Sequence, residues 1–135
     1  MATVLLIEDD ELLLKTTQSI LTRSGHTVVG FPSVRDASHA LTSNEASITT
    51  DQIEIVLLDL STSDFLSPEA LMDWIQLLFP SRTQRNQPKI GLVSGALNLE
   101  KIARNLGAEF FVEKPYLPAD LRKKIDSVYS ILPPT

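Results

Sequence analysis

Four consecutive carboxylates, Glu8 to Glu11, lie between two apolar runs near the start of this 135-residue chain. Like charges at this spacing repel one another, so a cation or a helix dipole must stabilise them. The four acids could begin a helix, where the dipole favours negative charge. They could instead hold a metal ion through their oxygens. The choice depends on which other polar side chains the fold brings to the same place.

Three later apolar runs are each followed closely by a polar residue that could take part in chemistry. These residues are Asp59, Ser94 and Lys114. A carboxylate, a hydroxyl and an ammonium group would complement the acids near the N-terminus if the fold placed them together. The elements that carry these residues therefore decide whether a site exists.

Five short apolar runs alternate with longer segments of helical periodicity. The runs lack an alternating polar face, as is typical of parallel strands covered by helices on both sides. Helix starts are indicated by Glu11, by Ser33 followed by Asp36, and by Ser67-Pro68, whereas Gly107 indicates a helix end. The pattern predicts an α/β fold, a doubly wound parallel sheet of five strands flanked by five helices. The expected strands are Val4–Ile7, Val28–Phe31, Ile53–Leu58, Ile90–Val93 and Phe110–Val112.

In a sheet of this kind, ligands bind at the carboxyl ends of the strands. We therefore expect the polar residues at these ends to converge on one edge of the sheet. Oxygen donors in a chain without cysteine suit Mg²⁺, and a nearby lysine could pair with a carboxylate or a phosphoryl oxygen. This combination suits phosphoryl transfer to a carboxylate. The convergent residues are Glu8, Asp9, Asp59, Ser94 and Lys114.

The composition excludes several other classes of function. With no cysteine, neither a disulfide framework nor thiolate-bound zinc is possible, which fits a cytoplasmic location. A net charge of −5 argues against nucleic acid as a direct partner, and the apolar runs are too short for a membrane span. His26 and His39 lack the sequence neighbours of a catalytic base or metal ligand.

The chain resembles the receiver domains of two-component response regulators over nearly its whole length. The matching segments are "VLLIEDDE", "IVLLDL", "GLVSGA" and "GAEFFVEKPY", in the family's order. The resemblance implies a flavodoxin-like sheet of strand order 2-1-3-4-5, with a receiver domain over 1–132 and a short tail at 133–135. It also implies a stand-alone phosphoacceptor rather than a turnover enzyme, and a monomer or weak dimer.

Roles for the acids follow from this resemblance. Asp59 would accept a phosphoryl group from the phosphohistidine of a histidine kinase or phosphotransfer protein. Asp9 and Asp59 would ligate Mg²⁺, with Glu8 helping directly or through water. The backbone carbonyl of Ser61 would be a further ligand.

The resemblance also implies a switch. Lys114 would contact the phosphoryl group, and Pro115 stands where the family commonly has a cis peptide bond. Ser94 would move toward the phosphoryl oxygen, and Phe111 would turn inward with it. The expected readout is a surface formed by helix 4, strand 5 and helix 5, which would signal to a downstream protein target by contact or by onward phosphotransfer.

The segment after Asp59, "DLSTSDFLSP", departs from the family pattern, with Ser63 where a proline is usual. A receiver fold that signals without phosphorylation therefore remains an alternative. A haloacid-dehalogenase-type phosphatase would need an aspartate at Ser61, and a flavodoxin-like flavin binder would need hydroxyls in place of the N-terminal acids. A metal pair shifted by one residue to Asp9 and Asp10, or an acceptor at Asp64, also remains open. The loops 43–52 and 80–88 are long for the family.

Overall fold

The computed structural model describes residues 2–43, 52–60, 68–79, 87–95 and 98–130. Five parallel strands form one sheet in the order β2-β1-β3-β4-β5, so the predicted fold class and strand order are confirmed. The strands are β1 (Thr3–Ile7), β2 (Thr27–Phe31), β3 (Ile55–Asp59), β4 (Lys89–Ser94) and β5 (Phe110–Glu113). The helices are α1 (Glu11–Arg23), α2 (Val34–Thr42), α3 (Pro68–Leu78), α4 (Leu99–Leu106) and α5 (Pro118–Ser130).

The sheet has an apolar core on each face because successive side chains of a strand point to opposite sides. Leu5, Ile7 and Leu58 belong to the core that includes buried residues of α2, α3 and α4. Leu6 and Leu57 belong to the other core, which includes buried residues of α1 and α5. Burial on both faces explains why the strands are apolar at almost every position.

Local signals place the helix ends where the sequence predicts them. The Asp10 side chain accepts a hydrogen bond from Leu13 N at 3.0 Å and caps α1. Ser33 caps α2 in the same way, through Asp36 N at 3.0 Å. Gly107 ends α4 in the left-handed conformation with φ of 75°, which glycine adopts without steric cost.

The strand ends differ slightly from the predicted ones. Asp59 and Ser94 are the last residues of β3 and β4 rather than the first residues after them. Ile53 is fully buried but precedes the first residue of β3. An apolar run indicates which side chains are buried, not which backbone groups form hydrogen bonds with a neighbouring strand. The ends of the run and of the strand therefore need not coincide.

Trp74 packs inside the structure. It is buried, and its indole nitrogen donates to Ser38 Oγ at 2.9 Å, which joins α3 to α2. Each helix in the described ranges is too short or too polar to cross a membrane. Ser61, Ser63, Asp64 and the tail 133–135 lie outside the described residues, as does most of the two long loops.

Candidate functional site

Two buried carboxylates stand side by side at the carboxyl edge of the sheet. Strands β1 and β3 are neighbours, and their register pairs Ile7 with Leu58. The next residues are Glu8 and Asp59, which are only 2% and 1% exposed. Parallel pairing in this register therefore explains why two acids 51 positions apart meet.

Lys114 reaches both acids from the end of β5. Its Nζ lies 2.8 Å from Asp59 Oδ2 and 3.0 Å from Glu8 Oε1. The backbone N–H of Lys114 donates to the carbonyl oxygen of Ser94 at 2.8 Å, which ties the lysine to the end of β4. The Lys114-Pro115 peptide bond is cis. The convergence that the sequence suggests for these charged residues is present.

Burial and hydrogen bonding shift the pKa values of the groups in the site. Burial and the hydrogen bond with Asp59 raise the pKa of Glu8, the bonds from Lys114 and the Asp10 amide lower it, and the net pKa is about 7. Burial lowers the pKa of Lys114, but its hydrogen bonds to Asp59 and Glu8 outweigh this effect and raise the pKa to about 12. Lys114 therefore stays charged near neutral pH, while Glu8 is poised to lose or gain a proton.

The acids also suit a divalent cation. Glu8, Asp9 and Asp59 each offer an oxygen, and these atoms lie within 4.8 Å of one another. Ligands on opposite sides of a Mg²⁺ ion lie about 4 Å apart, since each metal–oxygen bond is about 2 Å long. Three carboxylates and one ammonium leave a formal charge of −2, which a divalent cation would neutralise. The donor set and its charge therefore fit Mg²⁺.

The neighbouring acids have other positions. Asp10 caps α1, and Glu11 pairs with Lys15 at 3.2 Å on the exposed side of that helix. The structure places Glu8 and Asp9, rather than Asp9 and Asp10, beside Asp59. The four acids thus divide into two at the site and two at the helix start.

Ser94 and Phe111 lie on one face of the sheet. Phe111 pairs with Leu92, and Ser94 lies two residues beyond Leu92, so the side chains of all three point to the same side. Phe111 is half-buried against the core beneath α4, and Lys124 Nζ lies 6.0 Å from its ring centroid. This arrangement is compatible with the predicted switch, whose movement stays a prediction.

One residue at this edge was not singled out from the sequence. The hydroxyl of Tyr116 is 3.1 Å from the hydroxyl of Thr17, which is buried on α1. Burial raises the pKa of Tyr116, although the bond with Thr17 opposes this. The available signal was an aromatic residue two positions after the site lysine. No local pattern links that residue to Thr17.

Comparison with known proteins gave structural matches alone. No family model matches the chain, and neither does any curated protein at a significant level. The non-phosphorylated HemR receiver domain of Leptospira biflexa is 19% identical, with a TM-score of 0.72, and the match covers 100% of this chain and 99% of that one. A CheY-like receiver domain protein of Methanospirillum hungatei JF-1 is 23% identical, with a TM-score of 0.68, over 96% of this chain and 94% of that one.

A third structure comes from a family of streptococcal redox sensors described as evolved from two-component response regulators. It is 15% identical, with a TM-score of 0.69, over 96% of this chain and 52% of that one. At these identities the likeness concerns the fold. The chain has the fold of response regulator receiver domains.

Proposed function

We propose that this chain is a phosphoacceptor signalling protein in which Asp59 receives a phosphoryl group from a phosphohistidine. The donor would be a histidine kinase or a phosphotransfer protein. The observation that carries the proposal is the placement of a buried Asp59 carboxylate 2.8 Å from an ammonium group, with two more carboxylates in reach, in a receiver fold.

The chemistry needs few groups from the protein. An Asp59 oxygen attacks phosphorus, the phosphorus–nitrogen bond of the donor breaks, and its electron pair stays on the imidazole nitrogen. Lys114 already lies against Asp59 Oδ2, where its charge can bind an oxygen of the incoming phosphoryl group. The chain accepts the phosphoryl group and is itself modified, so it acts as a phosphoacceptor rather than a turnover enzyme.

Magnesium is the proposed cofactor. Glu8, Asp9 and Asp59 would hold it, and the backbone carbonyl of Ser61 would be a further ligand. When bound, Mg²⁺ supplies positive charge that offsets the charge on the transferring phosphoryl oxygens. The buried carboxylates also need this charge themselves, because Lys114 alone does not balance them.

Two exposed leucines support a protein as the phosphoryl donor. Leu12 is 76% exposed near the start of α1, and Leu117 is 67% exposed just before α5. Both helices begin at the sheet edge that carries Asp59, and they pack on the same face of the sheet. Apolar side chains beside a charged site would give a donor protein contact area that a small phosphodonor cannot use.

The output would pass through α4, β5 and α5. Ser94 would move toward the phosphoryl oxygen, and Phe111, on the same sheet face, would turn inward. Since Phe111 is half-buried beneath Lys124, such a turn would change the surface between β5 and α5. A downstream protein would recognise that change, or would take the phosphoryl group onward.

A second candidate is an interaction module that works without phosphorylation. Lys114 already bridges Glu8 and Asp59, so the negative charge of the site is partly compensated without a bound cation. The streptococcal redox sensors described as evolved from response regulators support the idea that this fold can take other inputs.

Acetyl phosphate and Mg²⁺ separate the two candidates. We expect a mass increase of one phosphoryl group that hydroxylamine removes, since an aspartyl phosphate is an acyl phosphate. The adduct should be absent from Asp59→Asn and present in Asp73→Asn, which removes an exposed acid on α3. An unmodified wild type would favour the phosphorylation-independent module, and an adduct that persists in Asp59→Asn would move the acceptor elsewhere.

A further inference from the structure

The segment that joins Lys114 to α5 has a single anchor in the core. Pro115 is exposed and Leu117 is 67% exposed, whereas Tyr116 between them packs against the core beneath α1 and α5. The backbone of Lys114 is held on its other side by the bond from its N–H to Ser94 O. Tyr116 is therefore the side chain that holds this segment on the α5 side of Lys114.

The hydrogen-bond partner of Tyr116 lies on α1, the helix that follows Glu8 and Asp9 in the sequence. Thr17 is 1% exposed on α1, and its hydroxyl is 3.1 Å from the Tyr116 hydroxyl. A threonine is a mediocre helix former, and its hydroxyl is costly to bury without a hydrogen-bond partner. Tyr116 supplies that partner across 99 positions of sequence.

We propose that Tyr116 and Thr17 position Lys114 against Glu8 and Asp59. The bond joins the segment that carries the ammonium to α1, whose N-terminus directly follows the acids. It thereby fixes the two sides of the site relative to each other. The hydroxyls of Tyr116 and Thr17 bond to each other rather than to the acids, so we assign both as positioning residues. Their consequence for phosphoryl transfer rests on the proposed function.

Tyr116→Phe and Thr17→Val each remove one hydroxyl and keep the bulk of the side chain. We expect either change to lower the second-order rate constant for acetyl phosphate about tenfold, as the loss of supporting bonds behind a site commonly does. The Mg²⁺ concentration for half-saturation should stay unchanged, because the carboxylates remain. Thr17→Ser keeps the hydroxyl and should restore the wild-type rate, and the double variant should be no slower than the singles.

Ser38→Ala is the matched control, because it removes the Trp74 hydrogen bond that joins α2 to α3 away from the site. It should lower thermal stability without changing the rate. If Tyr116→Phe and Thr17→Val likewise lower thermal stability but leave the rate unchanged, the pair is merely structural and the positioning role is wrong.

A second readout does not need phosphorylation. The NMR signal of the Lys114 ε-methylene group, assigned by its absence from Lys114→Met, should shift in Tyr116→Phe and Thr17→Val but not in Thr17→Ser or Ser38→Ala. If the Lys114 signal shifts in the two variants but acetyl phosphate leaves the wild-type protein unmodified, the positioning role is supported and the proposed function fails. An unmoved signal in both variants would overturn the positioning role whether or not Asp59 is phosphorylated.

Discussion

The two edges of the sheet each bury an ionisable group, but they leave it in different conditions. At the carboxyl edge, Glu8 and Asp59 share the single ammonium of Lys114, with Asp9 beside them. At the amino edge, His26 is 3% exposed and uses both ring nitrogens. Its Nδ1 accepts from the Ala2 amide at 3.1 Å, and its Nε2 lies 2.7 Å from Asp126 Oδ1.

This difference separates the candidate binding site from a structural link. Since Nδ1 accepts a hydrogen bond, the ring proton lies on Nε2 and is donated to Asp126. The imidazole is thus satisfied by protein groups alone. Among the described residues, the carboxyl edge carries more negative charge than Lys114 can balance, and the divalent cation proposed above would offset that excess.

Lys114→Met should have the largest effect on the carboxyl edge. The loss of a charge that stabilises the transferring oxygens is expected to slow the modification of Asp59 by acetyl phosphate about 100-fold. Mg²⁺ binding, measured by calorimetry, should persist because the three carboxylates remain. Lys123→Met, an exposed position on α5, serves as the control. A rate for Lys114→Met equal to that of this control would remove Lys114 from the chemistry.

His26→Leu should affect the amino edge in the opposite way. The Ala2 amide would be left buried without its acceptor, which costs about 1–3 kcal/mol in the free energy of unfolding. Urea denaturation measures this loss. The rate of Asp59 modification should not change, because the two edges are separated by the length of the strands. A large fall in that rate would show that the two edges are coupled.

The pH dependence of stability should distinguish the two edges further. Glu8 has a folded pKa of about 7, above its ordinary value of 4.5, so the folded state holds its proton more tightly than the unfolded state. Without Mg²⁺, its contribution is present below pH 4.5 and is lost as pH rises through 7. We expect a loss on the order of a few kcal/mol, because one pKa unit corresponds to about 1.4 kcal/mol and Glu8 is buried.

Glu8→Gln is the test of that assignment. Its stability, measured by urea denaturation between pH 4.5 and 7, should fall less than that of the wild type. Mg²⁺ should reverse the trend for the wild type, since the metal competes with the proton and binds more tightly as pH rises. Parallel pH curves for the two proteins would place the titration on another group.

Asp126→Asn should have the smallest effect. The amide oxygen can still accept from His26 Nε2, so the change removes a charge but keeps the hydrogen bond. The Asp126 side chain is 52% exposed, and such pairs contribute only a few tenths of a kcal/mol. A difference in melting temperature near the error of calorimetry is therefore expected. A loss as large as that of His26→Leu would mean that the Asp126 hydrogen bond, rather than the Ala2 bond, holds this edge.

Much of the fold follows from local patterns in the sequence. Apolar runs indicate strands covered on both faces, Asp10 and Ser33 cap helices as their positions predict, and Gly107 ends α4. These signals are local because they depend on side-chain periodicity and on backbone groups within a few residues. The apolar runs do not predict the ends of the strands. Ile53, for example, is buried but precedes the first residue of β3.

Local patterns in the sequence predict the α/β class and the helix caps. The predicted strand ends, together with the resemblance to receiver domains, indicate the acids and the lysine of the site. The tertiary structure decided which groups touch: Lys114 with both Glu8 and Asp59, Tyr116 with Thr17, and His26 with Asp126. It also set the raised pKa of Glu8, which depends on burial beside Asp59. These contacts join residues 55 to 106 positions apart, and only the packing of the sheet and helices brings such residues within hydrogen-bond distance.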